Sequence, residues 1–247
     1  MKQDGSILAL VLALWLAPGA GSAQPVQVEV FATDAISLAG RSDVAIPAIG
    51  GDLSGYPVPR PDPQPSHSVE TRPEFVEVSP GEVLTFAASG QALFSPLGVL
   101  TGPDGDAPKS VQPVGGISGY AGQGGSLVAV FLDDAIPLSG PPAALDFSSA
   151  GIGSGFAALA PALRQVFFIG DGRRGTGSGA RQTFTAPPGA TRLFFATMDS
   201  GGFGEPPGYY TDNTGSFLVT VPEPAAGGLA LASVVALALL AWRRGSR

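Results

Sequence analysis

The sequence predicts an all-β fold, an antiparallel β-sandwich of the jelly-roll kind, with an N-terminal signal helix and a C-terminal transmembrane helix attached. Three observations carry this prediction. Apolar segments in the middle of the chain are short, and several alternate with a period of two. Glycine and proline are abundant, 36 and 24 of 247 residues, and they fall between those segments as turn signals. Longer apolar runs stand only at the two ends. The predicted division is 1–23 signal peptide, 24–73 N-terminal strand and proline-rich linker, 74–221 sandwich, and 222–247 sorting segment with its helix.

The elements follow in chain order. Lys2 gives a positive start, and Ile7 to Ala17 is an apolar run too short to span a bilayer. Pro18 and Gly19 break it, and Gly21-Ser22-Ala23 suits signal peptidase, so cleavage is predicted between Ala23 and Gln24. Val26, Val28 and Val30 alternate with Gln27 and Glu29 as a half-buried strand. Ile46 to Pro73 holds seven prolines and no apolar period, which predicts an extended linker. Glu74–Val78 alternates, Ser79-Pro80-Gly81-Glu82 turns, and Val83–Ala88 returns. Ser126–Leu132 is a continuous apolar strand. Asp133 to Gln165 is irregular, with a short helix expected around Phe156–Leu163. Strands are then expected at Gln165–Ile169, Gln182–Ala186, Arg192–Thr197 and Ser216–Val221, the last with Phe217, Val219 and Val221 facing inward.

The C-terminal segment opens with Pro222-Glu223-Pro224. The apolar run Ala225–Trp242 follows, 18 residues, on the order of 27 Å as a helix at roughly 1.5 Å per residue. That length crosses a thin hydrocarbon core. Trp242 suits the membrane interface, and Arg243, Arg244 and Arg247 favour the cytoplasmic side.

Residues 24–224 carry nine of the 13 Lys and Arg and 19 of the 20 Asp and Glu, a net charge of −10. That balance excludes the basic footprint of nucleic-acid binding and suits cations. The chain has no cysteine, so no disulfide staples it, and packing or a metal ion must provide stability. The one histidine, His67, lies in the proline-rich linker. With no cysteine and a lone loop histidine, thiol catalysis, a Ser-His-Asp triad and a typical zinc site are all nearly excluded. Gly170-Asp171-Gly172-Arg173-Arg174-Gly175 spells a dinucleotide fingerprint, but a strand rather than a helix is expected after it, so it reads as a hairpin loop. Asp199, Glu205 and Asp212 are candidates by position for glycoside hydrolysis, but acidic residues at turns more often serve the surface or a metal.

The densest group of hard oxygen donors is Asp199 followed by Tyr209-Tyr210-Thr211-Asp212-Asn213-Thr214-Gly215. Two readings stand side by side. Asp212 and Asn213 form an Asx-turn that caps its own backbone, which composition alone favours. Alternatively, they supply part of the six to eight oxygens that calcium takes.

Two resemblances bear on this. Pro222-Glu223-Pro224, the apolar helix and the arginines in that order resemble the PEP-CTERM sorting signal of bacterial exported proteins. The resemblance implies passage through the inner membrane, transient anchoring by the helix, cutting near the Pro-Glu-Pro by an exosortase-type enzyme, and delivery to the cell surface or extracellular matrix. The second rests on Ser79-Pro80-Gly81-Glu82-Val83-Leu84-Thr85, Ala88-Ser89-Gly90, Gly102-Pro103-Asp104-Gly105-Asp106, Ser126-Leu127-Val128 and Asp212-Asn213-Thr214-Gly215-Ser216-Phe217. In that order and rough spacing, Phe75 to Val221 resembles the calcium-dependent galactophilic lectins of the PA-IL type. This implies a calcium ion held by the carbonyls of Phe94 and Tyr209 and the side chains of Asp199, Asp212 and Asn213. It implies a carbohydrate ligand, with Tyr209 or Tyr210 as a stacking face. The sugar-touching histidine and glutamine of those lectins have no counterpart here, so galactose specificity does not carry over. The expectation is a non-enzymatic surface protein, calcium-binding and carbohydrate-binding within an extracellular polysaccharide matrix. The alternative is a structural matrix protein or a membrane-anchored envelope protein with no ligand.

Overall fold

A computed structural model describes residues 24–46, 70–95, 98–138, 140–175, 177–200 and 210–222. Ala23, the expected signal segment, His67, Glu205, Tyr209, Glu223, Pro224 and the expected C-terminal helix lie outside them. The described residues are all-β. The strands are β1 (Val26–Phe31), β2 (Phe75–Glu77), β3 (Val83–Leu84), β4 (Ala87–Leu93), β5 (Pro108–Val111), β6 (Tyr120–Gln123), β7 (Leu127–Leu132), β8 (Leu145–Asp146), β9 (Ala158–Leu159), β10 (Val166–Phe168), β11 (Thr183–Thr185), β12 (Arg192–Thr197) and β13 (Thr214–Val221). Two 3-10 turns, Ile36–Leu38 and Tyr210–Asp212, complete the set. No helix among the described residues is long and apolar enough to cross a membrane.

Four small sheets form, in the orders β1-β13-β4, β10-β7-β12-β2, β3-β11-β9 and β5-β6-β8. The first two are wholly antiparallel, and they bury apolar residues in one contiguous cluster. The third and fourth each include one parallel pairing, β11 with β9 and β6 with β8, which the antiparallel expectation does not contain. All six residues of β7 are buried, which requires cover on both faces of that strand. The turn Ile36–Leu38 supplies part of that cover by packing on β7 and β12.

Several expected elements recur with shifted ends. Arg192–Thr197 is a strand as expected, and Phe217, Val219 and Val221 are buried while Leu218 is exposed. The turn after β2 is closed by Glu82 N–H to Ser79 O at 3.0 Å and by Ser79 N–H to the Glu82 carboxylate at 2.9 Å. Other expectations need correction. The single strand expected at Val83–Ala88 is two strands in different sheets, because the chain changes sheets at Thr85-Phe86. Phe86 is fully buried at that corner, with its ring 5.1 Å from Phe184 and 5.6 Å from Phe195. No helix forms at Phe156–Leu163; Ala158–Leu159 pairs with β11 instead. The N-terminal strand joins the sheet: β1 pairs along its whole length with β13, from Val26 opposite Val221 to Phe31 opposite Ser216. Within the segment expected as linker, Thr71 bridges to Asp34 in the same place.

The register divides the molecule into two ends. The Val26–Val221 pair and Pro222 mark one, where the described chain both starts and stops. The other holds Ala32 after β1, Leu93 opposite Thr214, and Thr197 bridged to Ala35. β13 separates them by eight residues, on the order of 25 Å at roughly 3.3 Å per residue.

Candidate cation site

Four segments meet at the end away from Pro222: the turn after β1, strand β5, the exit from β12, and the 3-10 turn that leads into β13. Their anchor is the Ala32 carbonyl. It accepts from Thr197 Oγ1 at 3.0 Å and from Asn213 Nδ2 at 2.9 Å, while Ala32 N–H donates to Gly215 O at 3.0 Å. Asn213 therefore does not cap its own turn. Its side chain crosses to another segment, and its backbone N–H closes the 3-10 turn on Tyr210 O at 3.2 Å.

Asp199 lies two residues past β12 and is 1% exposed; Asn213 is 2% exposed. Asp199 Oδ1 accepts from Ser200 N–H at 2.7 Å and from Lys109 Nζ at 2.8 Å. The same ammonium donates to Ser200 O at 2.8 Å. Asn213 Oδ1 is buried and receives no hydrogen bond; Asp199 Oδ2 receives none of ordinary length, although the Asn213 side chain lies close enough to hydrogen-bond the Asp199 carboxylate. Burial pushes the Asp199 carboxyl up to about 6; the charge and hydrogen bond of Lys109, the neighbouring Asn213 side chain and the Ser200 N–H pull it down, and burial wins.

The predicted site residues divide accordingly. Asp199 and Asn213 come together. Asp212 ends the 3-10 turn beside them and is half-buried. Phe94 is half-buried against Phe217, ring centroids 6.4 Å apart, and lines a cavity of about 180 Å³ together with Lys109, Asp106 and Thr101. Tyr210 does not offer a stacking face. It is fully buried in a small cluster with Ala35, Leu38 and Val44. Its hydroxyl accepts from Asp199 N–H at 3.3 Å and donates to Thr197 O at 3.1 Å, so it props up the Asp199 backbone. Of the processing residues, Gln24 and Pro222 are described, and both are exposed.

Sequence reasoning missed Lys109. Its one signal was singularity: it is the only lysine after Lys2. Among the described residues no three His, Cys, Asp or Glu side chains gather as a metal cluster. The oxygens offered here are one carboxylate, one amide and backbone carbonyls, with Asp212 adjacent, a mixture that hard cations accept. The fingerprint-like loop after β10 leads to an isolated Arg173–Arg181 bridge and then β11, without a helix, so no helix N-terminus stands there for a pyrophosphate. The chain matches no family model and no curated protein.

Proposed function

We propose that this is an exported, non-enzymatic surface protein whose jelly-roll-like sandwich binds calcium and, through it, carbohydrate in an extracellular polysaccharide matrix. The observation that carries the reading is the pair of buried acceptors, Asp199 Oδ2 and Asn213 Oδ1, neither of which accepts a hydrogen bond of ordinary length. A buried polar atom left so costs about 1–3 kcal/mol, and a hard cation beside it would relieve that cost. Asp199 and Asn213 would hold the ion, with Asp212 beside them; the carbonyls of Phe94 and Tyr209 are the further ligands that the lectin resemblance implies. A bound calcium ion would neutralise Asp199 and offer open coordination positions to sugar hydroxyls.

Export rests on the terminal segments: a signal peptide ending at Ala23, and Pro222-Glu223-Pro224 ahead of an apolar helix and arginines, cut by an exosortase-type enzyme. The pairing of Val26 with Val221 supports it. Both removable segments leave from the end opposite the cation site, so neither removal disturbs a described strand. No nucleic-acid partner suits a body of charge −10.

The ligand-free alternative, a structural matrix protein or membrane-anchored envelope protein, has one observation in its favour: Lys109 already pairs with Asp199 at 2.8 Å. Calorimetric titration with calcium chloride separates the two. The account expects heat of binding and a raised melting temperature in calcium over chelator, both abolished by Asp212→Ala with Asn213→Ala. An unchanged calcium shift in that double variant contradicts the site. A glycan array read in calcium and in chelator then identifies any sugar.

A further inference from the structure

Lys109 stands where a bound cation would also seek its charge. Its ammonium spends two donors on oxygens of the site, Asp199 Oδ1 and Ser200 O, both at 2.8 Å. Its stem runs across Gly124, where an added Cβ would meet Lys109 Cδ at 2.7 Å and Cγ at 2.9 Å, so glycine is what lets the lysine reach inward. Asp199 is almost wholly buried in this pair, whereas the Lys109 side chain keeps 19% exposure. A way out is built beside it. The 180 Å³ cavity lined by Lys109 also holds Asp106, an exposed carboxylate.

We propose that Lys109 is an intramolecular competitor for the cation seat. Its ammonium neutralises Asp199 in the empty protein, and a divalent cation displaces it into the adjacent cavity toward Asp106. The inference rests on the calcium reading above and adds its regulation. Competition of this kind lowers calcium affinity, because the bound state gives up an ion pair. It also favours divalent over monovalent ions, because only the higher charge gains more on Asp199 than the ammonium it replaces. Without calcium the lysine keeps the buried carboxylate from standing uncompensated, which would otherwise destabilise the fold.

Since Lys109 is the only lysine after Lys2, its reactivity can be followed in the unmutated chain. The test is acetylation by an amine-reactive reagent, with and without calcium chloride, read at the Lys109 peptide by mass spectrometry. Calcium binding is checked by calorimetry on the same sample. The expected result is slow modification without calcium and at least several-fold faster modification at saturation. Lys109→Met, which keeps the stem over Gly124, should tighten calcium binding about tenfold or more, and added Asp199→Asn should remove that gain. Calcium binding with unchanged Lys109 reactivity, or with equal affinity in Lys109→Met, overturns the competitor and leaves the calcium reading standing. No calcium heat in either the parent or Lys109→Met overturns both.

Discussion

Asp34 is buried just after β1 with both oxygens in use. Oδ2 accepts from Phe31 N–H at 2.7 Å and Oδ1 from Thr71 Oγ1 at 2.6 Å, so one side chain ties the first strand to the chain returning from the linker. Burial raises its carboxyl to about 6 from 3.8, despite those two hydrogen bonds, and the charges of Glu74 and Glu29 add to the rise. The fold therefore prefers the protonated form. The stability this contributes is fully present below about pH 4 and is lost as pH rises through about 6. The span is worth at most about 3 kcal/mol. Asp34→Asn should thus show a smaller fall in melting temperature between pH 4.5 and 7 than the parent, by thermal unfolding in chelator. Equal slopes would contradict it. Neither Asp34 nor Lys109 was legible as a functional or structural pivot, because their partners lie 37 and 90 residues away, a separation that no local pattern encodes. Tyr210 was misread: an aromatic beside polar residues looks exposed, but its ring fills a small apolar cluster and its hydroxyl finds backbone partners.

At two glycines of the β4–β13 pair there is no room for a side chain. A Cβ at Gly90 would meet Ser216 O at 2.4 Å, and one at Gly215 would meet Gln91 O at 2.5 Å. Both glycines have positive φ, 115° and 91°. Gly215→Ala should therefore cost roughly 1–3 kcal/mol or more, combining backbone strain with overlap. Gly81 also has a positive φ, 79°, but open space around it, so Gly81→Ala should cost only the strain, about 1 kcal/mol. Urea unfolding of the two variants checks the difference; equal losses would refute the close approach. Strands with a strong apolar period were readable from sequence, as β12 and β13 show. β5, β6 and β8 were not, because Pro108–Val111 and Tyr120–Gln123 carry glycine, proline and polar residues and pair only with one another and with two residues of β8. Phe156–Leu163 was ambiguous on the same ground: a short apolar run fits helix or strand, and its pairing with β11 decides.

At the scale of the molecule, a cysteine-free body depends on one main apolar cluster with a small second one around Tyr210, and the described chain starts and stops at the same end. Val26 and Val221 close the β1–β13 pair, and Pro222 follows directly. On the proposed reading, removal of the terminal segments would cost the domain no described strand, and the buried Asp199 and Asn213 lie at the opposite end. The meeting of Val26 and Val221 was not legible, because it depends on a pairing across 195 residues. The most direct measurement is the intact mass of the protein recovered from its native cells, fraction by fraction. The account predicts a surface or extracellular species that starts at Gln24 and has lost the apolar helix after Pro222-Glu223-Pro224. Recovery of the full 247-residue chain, uncut at both ends, from the soluble cell interior would contradict it.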